Sequence, residues 1–176
     1  SDDTTMRLYR QTVEDFALYS GKELSDSEME TLKEAAGQMS AKMRAVRIVS
    51  ASSVTKRDLE QRLGHKGEDP NQAKKAVEWM SELDLLDDGE VAAQVVRKCV
   101  SRGYGLARAK QMLYEKQVPR KYWEEALADY PDMEEAIAEF LRGKLGANPD
   151  EKDKKRAIDA ALRRGHNYSQ IRRAMN

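Results

Sequence analysis

Slid against itself by about 50 residues, this 176-residue chain superimposes its helical positions. Leu59 falls on Ala109, Leu63 on Leu113, Ala73 on Trp123, Ala76 on Ala126 and Val77 on Leu127. A second shift of about 48 carries Ala109 onto Ala157, Trp123 onto Ile171, Ala126 onto Ala174 and Leu127 onto Met175. Ala45, Val46 and Val49 fall on Val95, Val96 and Cys99. Each copy has a basic residue just before a joint: Lys66-Gly67, Lys116-Gln117 and Arg164-Gly165. Chance overlap of small and apolar residues accounts for some coincidence in any helical chain, but not for the basic joints. A unit of this length that cannot bury its apolar face alone must stack on its neighbours.

Each copy reads as three helices. The first has 41–51, 55–65 and 70–83; the second 90–101, 106–116 and 119–129; the third one near Ala136 to Leu145, then 151–164 and a last short one. The third copy needs an insertion before residue 153 to show its first helix. Thr55 suits an N-cap because its hydroxyl accepts an orphan backbone N–H; Asp87 or Asp88 and Asn167 or Ser169 suit the same role. Gly67 suits a left-handed C-cap, having no Cβ to clash there, whereas Gln117 puts the same cap in question in the second copy. Pro70 and Pro119 open helices. Ahead of the repeats, Ser25 caps a helix with an acidic first turn, and Met29, Leu32, Ala36, Met39 and Met43 carry its apolar stripe into the first copy. Val13 to Leu18 makes a short extra helix, and the extreme N-terminus frays. No sustained period-2 alternation signals a strand. The expectation is an all-α fold: an N-terminal extension over 1–40 and three-helix repeats over 41–88, 89–131 and 132–176, stacked as an elongated, slightly curved array.

Charge follows the same rhythm. Lys+Arg and Asp+Glu both number 31, so the net charge is zero, yet segments 41–67, 97–121 and 152–176 carry +5, +7 and +6. Segments 1–34, 78–90 and 124–151 carry −5, −6 and −7. Alternating blocks suit a salt-bridged helical surface, or basic segments that meet a polyanion or an acidic protein. The zero sum argues against a simple DNA-coating protein. No apolar run exceeds four residues, against the ~20 of a membrane span. One cysteine, Cys99, excludes a disulfide framework and a multi-cysteine zinc site. No signal peptide opens the chain, and Ser1 in place of Met points to a trimmed start, so a reducing, cytoplasmic setting is expected.

No catalytic constellation is visible, and no enzyme activity, metal or cofactor is expected. His65 and His166 stand beside helix ends among polar residues, as surface histidines do. Cys99 lies on an apolar register, as a buried thiol would. Trp123 falls on core positions of the other copies, while Trp79 suits a core or an interface. The acidic stretch Asp84 to Glu90 lacks the remaining positions of a calcium loop, and Gly103-Tyr104-Gly105 is not a phosphate loop. The basic side chains carry the information. Arg97, Lys98, Arg102, Arg108, Lys110, Lys116, Arg120 and Lys121 are opposed only by Glu115 within their segment. They would attract phosphates or an acidic protein surface alike.

These residues resemble the RecX family of bacterial regulators of the RecA recombinase, from roughly Gly21 to the C-terminus. The most specific pieces are Lys56 to Leu63 followed by Lys66-Gly67, then Leu85-Leu86-Asp87-Asp88, and then Arg102-Gly103-Tyr104-Gly105 with Arg108 and Leu113. The close, Arg163 to Ile171, matches the family's final repeat. The resemblance implies tandem three-helix repeats. It also implies binding along the groove of the RecA nucleoprotein filament, restraint of ATP hydrolysis, strand exchange and coprotease activity, and thus a role in DNA repair and the SOS response. The expected partners are that filament and single- or double-stranded DNA, with no membrane and a monomeric protein. Expected contacts are Arg57, Arg62 and Lys66 in the first repeat, Arg97, Arg102, Tyr104, Arg108, Lys110 and Lys116 in the second, and Arg163 and Arg164 in the third. A helical module that binds nucleic acid directly and an adaptor for another protein remain the alternatives. Some relatives carry additional N-terminal strands, and none is read here.

Overall fold

The structure, a computed structural model, describes residues 5–175. The expected fraying of the extreme N-terminus falls largely on residues outside this range. All regular structure among the described residues is helical. Two compact units divide the chain, one ending at Asp87 and the other beginning at Asp88.

In the first unit a short helix, α1 (Arg10–Asp15), precedes the long α2 (Asp26–Ala51), with α3 (Lys56–His65) and α4 (Pro70–Glu82) following. The entry to α2 is fixed by a capping box: Ser25 Oγ accepts from the Glu28 amide, and the Glu28 carboxylate accepts from the Ser25 amide. Those bonds to the charged form hold the exposed Glu28 carboxyl below its ordinary value. Thr55 caps α3 through the Asp58 amide, and Asp69 caps α4 just ahead of Pro70. On α4, Ala73, Ala76, Val77 and Met80 are buried at spacings of three and four. They close one core with Ala41, Ala45, Val54, Leu59, Leu63 and Leu86. Trp79 is half-buried against that core, with Lys42 Nζ 5.0 Å from its ring centre.

The second unit holds two further cores. Helices α5 (Asp88–Ser101), α6 (Leu106–Glu115) and α7 (Trp123–Leu127), the last entered through a 3-10 turn at Arg120–Tyr122, enclose Val91, Ala92, Val95, Cys99, Ala109, Leu113 and Trp123. Helices α8 (Glu134–Lys144), α9 (Glu151–Arg163) and α10 (Tyr168–Ala174) enclose Met133, Ile137, Leu141, Ala157, Ala161 and Ile171. Asn167, not Ser169, caps α10. The Asp88 side of the expected cap lies inside α5, which starts there.

The three joints share one geometry. After α3 the Gly67 amide donates to Gly64 O and the Glu68 amide to Leu63 O; after α6 the Gln117 amide donates to Tyr114 O and the Val118 amide to Leu113 O. After α9 the Gly165 amide donates to Leu162 O and the His166 amide to Ala161 O. This paired closure requires a left-handed residue at the turn. Gly67 has φ +85° and Gly165 φ +90°, and Gln117 adopts φ +55° in the same place. The question the glutamine raised is thus settled by strain: the closing bonds hold a residue with a Cβ in a region costing ~1–2 kcal/mol.

Candidate functional site

The eleven basic and aromatic candidates sort into three groups. Arg57, Lys66, Arg102, Lys110 and Arg163 are exposed. Among the described residues, the charged groups of these five side chains form no hydrogen bond or ion pair. Their charge is therefore not already neutralised, and binding a partner does not first require breaking an internal pair.

A second group is paired. Arg62 Nε lies 2.9 Å from Asp58 Oδ1, with Nη1 donating to Ser52 Oγ at 3.4 Å. Arg97 Nη2 lies 2.6 Å from Glu90 Oε1, and Arg108 Nη1 lies 3.5 Å from Glu115 Oε1. Both carboxylates are half or more exposed, so these pairs open at little cost. Lys116 is half-buried. Positive charge concentrates around the end of α5: Arg108, Arg102 and Lys98 each act to lower the Cys99 thiol. Burial outweighs them and pushes the thiol up, so Cys99 behaves as a small core residue.

Arg164 and Tyr104 form the third group, which is spent inside the second unit. The Arg164 guanidinium lies between two rings, 4.8 Å from the centre of Tyr104 and 4.6 Å from that of Phe140. Its Nη2 donates to the carbonyls of Arg102 and Gly103, capping the end of α5 with a cation. His166, read from sequence as a surface residue, is 4% exposed and its Nε2 lies 3.0 Å from Gly103 O. Burial, which disfavours the imidazolium, holds its pKa below the ordinary value; the Arg164 charge pushes the same way. The Tyr130 hydroxyl donates to Tyr104 O at 2.6 Å, and burial pushes its pKa up to about 12.

Backbone closes this joint as well. The Gly105 amide donates to Arg164 O at 2.8 Å and the Ala107 amide to Gly165 O at 3.2 Å, so the open N-terminus of α6 is satisfied by the α9–α10 turn. A Cβ on Gly105 would fall 2.5 Å from the His166 nitrogen, and one on Gly165 2.6 Å from the Arg108 Cβ. Only glycine permits this approach. Sequence reading missed Phe140, Tyr130 and His166 here. No sequence signal pointed to them: the basic position before the joint is shared by Lys66, which is exposed, so its register does not mark a buried contact. Among the described residues, no group of three His, Cys, Asp or Glu side chains is placed to hold a metal ion. No helix of the described residues is long and apolar enough to cross a membrane.

Comparison with known proteins matches this architecture to one family. No family model matches the sequence. The chain is 32% identical over 134 residues to the regulatory protein RecX of Halorhodospira halophila, covering 74% of this chain and 83% of that one. It is 24% identical over 181 residues to the regulatory protein RecX of Clostridioides difficile, covering 99% and 85%. In fold it is similar to a crystal structure of regulatory protein RecX (TM-score 0.71, 18% identity, 94% of this chain and 84% of that one). It is also similar to that of RecX from Lactobacillus salivarius (TM-score 0.65, 20% identity, 80% and 96%). With 32% identity over 134 residues that span most of both chains, the chain belongs to the RecX family of regulatory proteins.

Proposed function

We propose that this protein regulates the RecA recombinase by binding the RecA–DNA filament in its groove. There it lowers the filament's ATPase, strand-exchange and coprotease activities and so moderates DNA repair and the SOS response. It acts as a cytoplasmic monomer and as a regulator, not a catalyst. The observation that carries this reading is the relationship to RecX across most of both chains. The surface supports it: the charged side-chain groups of Arg57 and Lys66 in one unit, and of Arg102, Lys110 and Arg163 in the other, have no hydrogen-bond or ion-pair partner among the described residues. An exposed cation with no internal partner offers its full charge to phosphates or carboxylates. Arg97 and Arg108 contribute after exchanging a weak surface pair for an intermolecular one, and Arg62 contributes the part of its guanidinium left exposed beside the buried Asp58. Arg164 contributes by holding the Arg102 carbonyl in place.

The test is charge reversal at unpaired positions: Arg57→Glu, Lys66→Glu, Arg102→Glu and Arg163→Glu together. Affinity for RecA filaments falls about tenfold or more while far-ultraviolet circular dichroism is unchanged. Unchanged affinity would remove these side chains from the contact surface.

A further inference from the structure

A groove of about 420 Å³ runs beside α6 and the entry to α7, lined by Leu106, Lys110, Arg120, Trp123, Leu127 and their neighbours. Three features set it apart from an ordinary crevice. Its apolar wall faces solvent: Leu106, the first residue of α6, is 40% exposed. One cation is held and one is available: the Arg120 guanidinium lies 3.8 Å from the ring centre of Trp123, while the Lys110 ammonium forms no hydrogen bond or ion pair with any described residue. Trp123 is itself fixed, its Nε1 donating to Val118 O at 2.9 Å.

The repeats supply an internal control. At the register of Leu106 the other copies carry Lys56 and Lys154; at Lys110 they carry Glu60 and Ile158; at Arg120, Pro70 and Tyr168. Trp123 replaces Ala73 and Ile171. Packing of a three-helix unit therefore does not require a leucine at this register, where the other two copies carry lysine.

We propose that this groove docks an acidic segment of a partner protein through an apolar anchor side chain. The anchor covers Leu106 and Leu127, and carboxylates beside it meet Lys110 and Arg120. Charge complementarity selects an acidic partner, since Glu124 is the one acid among the lining residues. The apolar wall selects protein over nucleic acid, because a phosphate backbone gains nothing from leucine. The inference goes beyond the filament reading, since it assigns this face to protein carboxylates whatever the partner is.

The experiment is random-peptide display against the full chain, followed by fluorescence anisotropy of the enriched peptides on the parent, Leu106→Ser and Lys110→Glu. Both positions are exposed, and circular dichroism checks that each variant stays folded. The expected peptides are acidic around one apolar residue, and each substitution weakens them about tenfold. Failure to enrich, enrichment of basic or wholly polar peptides, or binding that survives both substitutions would overturn the proposal. So would competition by a single-stranded oligonucleotide whose binding is lost in Lys110→Glu but kept in Leu106→Ser. RecA is absent from this assay, so its outcome is independent of whether the filament is the partner.

Discussion

Replacing Gly165 by alanine tests the joint between the last two cores most sharply, because Gly67 provides its control. Both glycines lie in the left-handed region, at φ +90° and +85°. Alanine there costs ~1–2 kcal/mol at either position. The surroundings differ. A Cβ at Gly67 meets nothing within 4 Å, whereas one at Gly165 meets the Arg108 Cβ at 2.6 Å and Arg108 backbone besides. Backbone at the start of α6 cannot yield without breaking the bonds from Gly105 and Ala107, and overpacking of this kind costs a further ~1–3 kcal/mol. The expected totals are thus ~1–2 kcal/mol for Gly67→Ala and ~2–5 kcal/mol for Gly165→Ala. Two units with separate cores need not unfold as one, so the assay is native-state hydrogen exchange read helix by helix. Gly165→Ala should lower protection across α9 and α10 and at the α6 N-terminus by more than Gly67→Ala lowers it across α3 and α4. Equal losses would refute the close backbone approach.

Two further predictions follow from buried groups. His166 has a folded pKa below its ordinary 6.5, so the unfolded chain binds the proton more tightly. Stability is therefore full above about pH 6.5, falls as the pH drops below it, and levels off once the folded pKa is passed. Thermal unfolding between about pH 7 and pH 5 should show this slope, and His166→Gln should flatten it. Cys99 is fully buried and its thiol is pushed up, so a thiol-reactive dye should label it only after denaturation. Rapid labelling of the native protein would contradict the packing around α5.

The helices and their caps were largely legible because they depend on local chemistry. Thr55 and Asn167 each cap within three residues of themselves. Repeat register also placed Ala45, Cys99, Leu113 and Trp123 in cores, since substitution by other small or apolar residues marks an interior position. The candidate site was legible only in part. Composition shows that Arg102, Lys110 and Arg164 are basic but not which of them already has acceptors. The acceptors of Arg164 lie 61 and 62 residues away in sequence, and its neighbouring rings come from the α5–α6 turn (Tyr104) and from α8 (Phe140). His166 was misread for the same reason: its neighbours in sequence are polar, but its neighbours in space are the end of α5 and the core. Gln117 shows the reverse case, in which closing bonds impose a conformation that the residue itself disfavours.

The most direct measurement is the rate of DNA-stimulated ATP hydrolysis by RecA as this protein is titrated below the RecA concentration. The account predicts inhibition at substoichiometric ratios, because a molecule seated in the filament groove affects many protomers. Inhibition that requires one molecule per RecA, or none at all beside tight binding to DNA alone in the same buffer, would contradict it.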